Sequence, residues 1–148
     1  MNRKIDILLI EDNPDEAELT IRELKKNNLA GTLIHFDDGA EALDFIFSKG
    51  KYAGEQEPLY LKLILLDLKL PKINGLEILQ QLKSNERTRT IPVVVLTSSR
   101  EEKDIRESYQ LGANSYIVKP VNFDSFSKGI SELGHYWTTL NQLPGSYE

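Results

Sequence analysis

Strand-length apolar runs alternate with helical segments along the whole chain, and that alternation narrows the choice of fold more than any other feature. Five runs rich in leucine or β-branched residues recur, at Ile5–Ile10 (IDILLI), Thr32–Phe36 (TLIHF), Leu63–Leu66 (LILL), Ile91–Leu96 (IPVVVL) and Ser115–Val118 (SYIV). Each is bounded by polar residues, Gly or Pro, the usual punctuation of short buried strands. The first intervening segment opens with Asn13-Pro14-Asp15-Glu16, which supplies a cap, a proline at the first helical position and two acids for the positive end of the helix dipole. Ala17, Ile21, Leu24 and Asn28 then mark one face. A second helix is expected from near Asp38, with Ala42, Leu43, Ile46 and Phe47 inward, and a third from near Asn74, with Ile78, Leu79 and Leu82 inward. A fourth is expected over Arg100–Leu111, charged, thinly packed and stopped by Gly112. The fifth starts at Asn122 and places Phe126, Ile130, Leu133, Trp137 and Leu140 in one stripe at steps of four, three, four and three.

Five strand–helix alternations predict a doubly wound α/β domain. Parallel strands need crossover connections, and a sheet covered on both faces reads as uninterrupted apolar runs. The expected organisation is a single domain over residues 1–148, with its core over about 4–140 and a tail from Asn141 to Glu148. The segment Ser48–Leu61 is longer than most helix-to-strand loops and reads as a solvated surface excursion, with a partner contact as the alternative.

Composition closes off several function classes. The chain has no cysteine, which removes zinc-finger and disulfide scaffolds. With 18 Lys+Arg against 23 Asp+Glu, a net charge of −5 and no basic cluster, direct nucleic-acid binding is not expected. Acids at Asp6, Glu11 and Asp12 interrupt the N-terminal apolar run before a signal-peptide core can form, and no run of about 18 apolar residues exists. No membrane span and a cytoplasmic location are the expectations.

In such a sheet the ligand site lies outside the carboxyl ends of the strands. Right-handed crossovers keep those ends on one face, so the residues after each run gather there: Glu11 and Asp12, then Asp67, then Thr97 and Ser98, then Lys119. Carboxylates crowded into one crevice raise each other's pKa unless a cation neutralises them. An all-oxygen ligand set with neither His nor Cys favours Mg2+, which retains waters and leaves positions for a phosphoryl oxygen. Asp67 ends the most apolar run, so it is the expected carboxylate nucleophile, forming an acyl phosphate, with Lys119 and Thr97 stabilising the phosphoryl oxygens.

These residues resemble the receiver domain of two-component response regulators. The pieces that carry the resemblance are ILLIEDN, LILLDLKLPKINGLEIL with Asp67, Pro71 and Gly75, VVVLTSS with Thr97, and GANSYIVKP with Lys119 and Pro120. The resemblance implies a flavodoxin-like sheet in strand order 2-1-3-4-5 and a phosphorelay role in which Asp67 accepts a phosphoryl group from a sensor histidine kinase. It implies Mg2+ organised by Glu11 and Asp12, with Asp12, Asp67 and the backbone carbonyl of Lys69 as ligands. It further implies a cis Lys119–Pro120 bond, a switch made by Thr97 and Tyr116, and tuning of acyl-phosphate lifetime by Lys69 and Ser99. Ser98 is small enough to leave access for the donor. His35 and His135 match no phosphodonor setting and are expected at the surface.

The long Ser48–Leu61 segment and the aromatic end LGHYWTTLNQLP are similar to stand-alone receivers that partner phytochrome-type histidine kinases. That narrower likeness implies a homodimer through the face of the fourth helix, fifth strand and fifth helix, with Tyr136, Trp137 and Leu140 at the interface. The competing placement of Trp137 is in the intramolecular core. Three rival functions compete with this reading. An aspartyl-nucleophile phosphatase wants a second acid where Lys69 stands, a nucleotide or flavin module wants glycines where EDNPDE stands, and a phosphorylation-independent interaction domain would not need the complete acid, Thr and Lys set.

Overall fold

The strands form where the apolar runs lie, and each stops where a backbone donor or side-chain requirement changes. The computed structural model describes residues 5–26, 32–55 and 61–144. Its strands are β1 (Ile7–Ile10), β2 (Leu33–Phe36), β3 (Leu63–Leu66), β4 (Val93–Thr97) and β5 (Ser115–Val118). They make one five-stranded sheet in the order β2-β1-β3-β4-β5, every pair parallel, as the resemblance implied. Strand β4 begins two residues later than the apolar run because Pro92 has no N–H to give to the ladder; its carbonyl still accepts from Ile64.

Successive residues of each strand serve opposite faces. Ile7 and Leu9, Leu63 and Leu65, and Val94 and Leu96 pack under helices α1 (Pro14–Lys26) and α5 (Phe123–His135), against Ala17, Leu24, Phe126, Ile130 and Leu133. Leu8 and Ile10, Ile64 and Leu66, and Val93 and Val95 pack on the other face under α2 (Gly39–Ile46) and α3 (Gly75–Ser84), against Ala42, Ile46, Ile78, Leu79 and Leu82. Helix α4 (Glu102–Gln110) lies beside α3, and Ser108 is its one buried residue, which accords with the thin packing expected of it. Gly112 ends it at φ +106°, a conformation that side chains disfavour. Of the first-helix stripe, Ala17 and Leu24 are buried and Ile21 is half-buried, while Asn28 lies outside the described residues, as do Lys4 and residues 145–148. Among the described residues no helix is long and apolar enough to cross a membrane.

Four expectations are corrected. The Lys119–Pro120 bond is trans, like every described peptide bond, in keeping with the intrinsic preference of about 0.5–1 kcal/mol for trans at X-Pro. The last stripe breaks at its end: Tyr136–Leu140 is a wide π turn closed by Asn141 N–H donating to Tyr136 O (2.8 Å), which rotates Leu140 outward to 59% exposure. Trp137 stays half-buried against the α1/α5 core. His35 is half-buried rather than a free surface residue, its Nε2 2.8 Å from the Glu11 carbonyl oxygen, whereas His135 is exposed as expected. The Ser48–Leu61 segment is not wholly a solvated excursion: a short 3-10 turn, Gly50–Tyr52, sets the Tyr52 ring edge-on to Phe36 and Phe45, and the Tyr52 hydroxyl donates to Glu41 (2.8 Å). Residues 56–60 of that segment lie outside the described residues.

Candidate functional site at the carboxyl edge of the sheet

The sheet ladder runs one residue past the strands and into the site. Glu11 N–H donates to Phe36 O (3.0 Å), Asp67 N–H to Ile10 O (3.1 Å) and Lys119 N–H to Thr97 O (2.7 Å). The backbones of Glu11, Asp67 and Lys119 are therefore fixed by the sheet itself, and their side chains converge above its carboxyl edge. Carboxylate oxygens of Glu11, Asp12 and Asp67 lie within 4.8 Å of one another, the first and third buried and Asp12 exposed.

Lys119 sits at the centre of this convergence. Its ammonium contacts Glu11 Oε1 at 2.5 Å, Glu16 Oε2 at 2.9 Å and Asp67 Oδ2 at 3.3 Å. Burial works to lower the Lys119 pKa, but the hydrogen bonds to Glu11 and Glu16 and the charges of Glu11 and Asp67 outweigh it and hold the pKa above the ordinary lysine value. Burial pushes the Glu11 carboxyl up to about 7, against the Lys119 hydrogen bond and with the help of the Asp67 charge. Crowded anions of this kind accept a divalent cation readily, and the group formed by Glu11, Asp12 and Asp67 offers only carboxylate oxygens, which suit a hard ion.

The remaining expected residues line the rim. Asp67 Oδ1 accepts from Lys69 N–H (3.3 Å). The Lys69 ammonium lies 3.7 Å from Asp104 Oδ2 on α4. Thr97 is fully buried at the end of β4, and its Oγ1 accepts a long bond from Ser99 N–H (3.4 Å). Ser98 is exposed. Ser99 is buried and donates to Asp104 (2.5 Å), and the half-buried Tyr116 donates from its hydroxyl to Ser99 O (3.0 Å), so the β4–α4 connection is pinned from both sides.

Sequence reasoning missed Glu16 and Asp104. Both sit in first helical turns, where acids are expected for the helix dipole alone, so composition offers no sign that they reach elsewhere.

Comparison with known proteins agrees with this geometry. The response regulator receiver domain family model matches residues 7–131. The probable methanogenesis regulatory protein FilR2 of Methanothrix harundinacea is 40% identical over 140 residues, covering 94% of this chain and 87% of that protein. Response regulator Rcp1 of Synechocystis sp. is 37% identical over 140 residues, covering 95% and 93%. Its Mn2+-bound crystal structure superposes with a TM-score of 0.86, covering 95% of this chain and 99% of that one. The crystal structure of the phosphorylated cyanobacterial phytochrome response regulator RcpA is 35% identical, with a TM-score of 0.87 and coverage of 97% and 100%.

Proposed function

The chain belongs to the response regulator receiver domain family, and from that premise we propose that it is a single-domain phosphorelay switch whose acceptor is Asp67. The observation that carries the reading is the meeting of Asp67, Lys119 and the Glu11/Asp12 pair at one sheet edge, with Lys119 Nζ 3.3 Å from Asp67 Oδ2. In the transfer, an Asp67 carboxylate oxygen attacks the phosphorus of a kinase phosphohistidine. The new P–O bond forms as the P–N bond breaks, and the imidazole leaves with the electron pair and takes up a proton.

Glu11, Asp12, Asp67 and the Lys69 carbonyl would hold a divalent ion, Mg2+ being the proposed one, and when bound it neutralises charge on the phosphoryl oxygens. Lys119 supplies a second positive charge there, and Thr97 a hydroxyl donor. Drawing Thr97 and the Tyr116–Ser99 bond toward new negative charge shifts the β4–α4 connection, and with it the surface of α4, between two pre-existing arrangements. Outside its own phosphorylation and slow dephosphorylation the domain has no catalytic role in this reading.

The partner proposed is a sensor histidine kinase of phytochrome type, by the likeness to Rcp1 and RcpA. A homodimer through the α4–β5–α5 face is part of this proposal, with the exposed Tyr136 and Leu140 and the half-buried Trp137 as the apolar area that a second copy of this chain would cover.

The test is intact mass after incubation with Mg2+ and acetyl phosphate. Wild type is expected to gain one phosphoryl group only when metal is present, and Asp67→Asn none. Failure of wild type, under conditions where an established receiver is modified, would leave a phosphorylation-independent interaction domain as the better reading.

A further inference from the structure

The sequence Asn13-Pro14-Asp15-Glu16 has the spacing of a helix capping box, in which the residue at the third helical position returns its carboxylate to the N–H of the cap. Half of that box forms: Asn13 Oδ1 accepts from Asp15 N–H and Glu16 N–H, both at 3.0 Å. The other half does not. Asn13 N–H donates to Glu11 Oε2 (3.2 Å), and the Glu16 carboxylate, freed from the cap, reaches across to Lys119 Nζ at 2.9 Å. The two partners are 103 residues apart in sequence, so the contact ties the start of α1 to the end of β5. It also joins unlike environments, the Lys119 side chain being 6% exposed and that of Glu16 38%.

We propose that Glu16 is a positioning residue for Lys119, a tether that keeps the ammonium on the carboxylates before phosphorylation and must yield it to the arriving phosphoryl group. The inference rests on the reading of Asp67 as acceptor and Lys119 as its cationic partner. Two consequences follow from the geometry. Lys119 is shared among three carboxylates, so whatever phosphoryl charge it later stabilises must first win it from Glu16 as well as from Glu11. Glu16 also adds a negative charge on the same ammonium that Asp67 contacts, and that charge opposes the approach of an anionic donor. The tether therefore sets how much donor is needed rather than the chemistry of the step.

Glu16→Gln keeps the shape of the side chain and removes its charge, and Glu16→Asp keeps the charge and shortens the reach. The first measurement needs neither metal nor donor: the NMR signal of the Lys119 ammonium, assigned by its loss in Lys119→Met. In wild type it is expected to be slowed in exchange by its three partners; in Glu16→Gln it should shift and exchange faster, with other lysine signals unchanged. The second is the rate of phosphorylation by acetyl phosphate with Mg2+ against donor concentration, followed by intact mass. Glu16→Gln is expected to lower the half-saturating donor concentration about five-fold, the scale of one unit charge at a half-exposed site, with a smaller change in the plateau rate. Glu16→Asp should fall between the two.

A Lys119 signal unchanged by Glu16→Gln overturns the proposal, as does an unchanged donor dependence. So does a fall in thermal stability with neither of the other two effects, which would leave Glu16 a purely structural residue. If the ammonium signal responds but wild type takes up no phosphoryl group, the contact is upheld and it is the acceptor reading that fails.

Discussion

Adding one methyl group at Gly75 tests the coupling between packing and the site. Gly75 is the first residue of α3, buried against the chain where it leaves β3, and its N–H donates to Leu68 O (2.9 Å). A Cβ there would fall inside contact distance of the Asp67 carbonyl oxygen and lie 2.6 Å from Leu68 Cα and 3.1 Å from the Asp67 carbonyl carbon. Unstrained carbon contacts are about 3.5–4.0 Å, so roughly 1 Å must be found, and the neighbours are backbone rather than a movable side chain. Overpacking of this kind costs about 1–3 kcal/mol, and the better helix propensity of Ala returns at most about 1 kcal/mol.

A net loss of about 1–2 kcal/mol is expected for Gly75→Ala, lowering Tm by roughly 2–8 °C for a chain of this size. Gly129 is the matched control: it lies in α5, and a Cβ would meet nothing within 4 Å. Gly129→Ala should raise stability by about 0.5–1 kcal/mol. Urea unfolding and thermal melts of the two variants decide the matter. Because the displaced atoms belong to Asp67 and Leu68, Gly75→Ala should also slow phosphoryl uptake, and Gly129→Ala should not. A Gly75→Ala protein as stable as wild type would refute the reasoning.

Other outcomes are expected elsewhere in the molecule. Thr88 is buried and its hydroxyl donates to Leu82 O (2.6 Å) in the last turn of α3; Thr88→Val should cost about 1–3 kcal/mol in urea titration, since a carbonyl is left without its donor. Lys83 donates to Arg89 O, Ile91 O and Asn114 Oδ1, yet burial pushes its ammonium from 10.5 down to about 8. Between those pH values the unfolded chain binds more protons than the folded one. Lys83 should therefore make stability rise with pH from about 8 to 10.5, by no more than about 2 kcal/mol once solvent screening is allowed for, and the difference between wild type and Lys83→Met should carry that slope. Lys69→Ala should shorten the lifetime of the acyl phosphate by opening the approach of water past Asp67, read as loss of the phosphoryl mass with time; an identical decay would remove Lys69 from the account.

Most of the architecture was legible because its causes are local. Apolar runs, proline and the caps at Asn13, Asp38, Asn74 and Asn122 each act within a few residues, and the side chains of all four accept the expected helix N–H bonds. The convergence of Glu11, Asp67 and Lys119 was legible too, since parallel strands bring their carboxyl ends together whatever their order. What escaped depends on reach across the fold. Glu16 and Asp104 look like dipole acids until the direction of a long side chain is known, and His35 looks like a surface residue until β2 is set beside β1. The outward turn of Leu140 required knowing that the helix widens at Tyr136, which no spacing of apolar residues encodes.

The separation of the site residues along the chain has a temporal meaning. Lys119 meets Glu11 across 108 residues and Asp67 across 52, and the first, third and fifth strands must all be in register before the three side chains share a space. A nascent chain emerging from the ribosome has Asp67 long before it has β5, so the carboxylate passes through synthesis without its cationic partner. On the proposed reading of Asp67 as acceptor, competence to take up a phosphoryl group arrives in one step, with the last strand, and a half-made or half-unfolded molecule would stay unmodified rather than wrongly switched on.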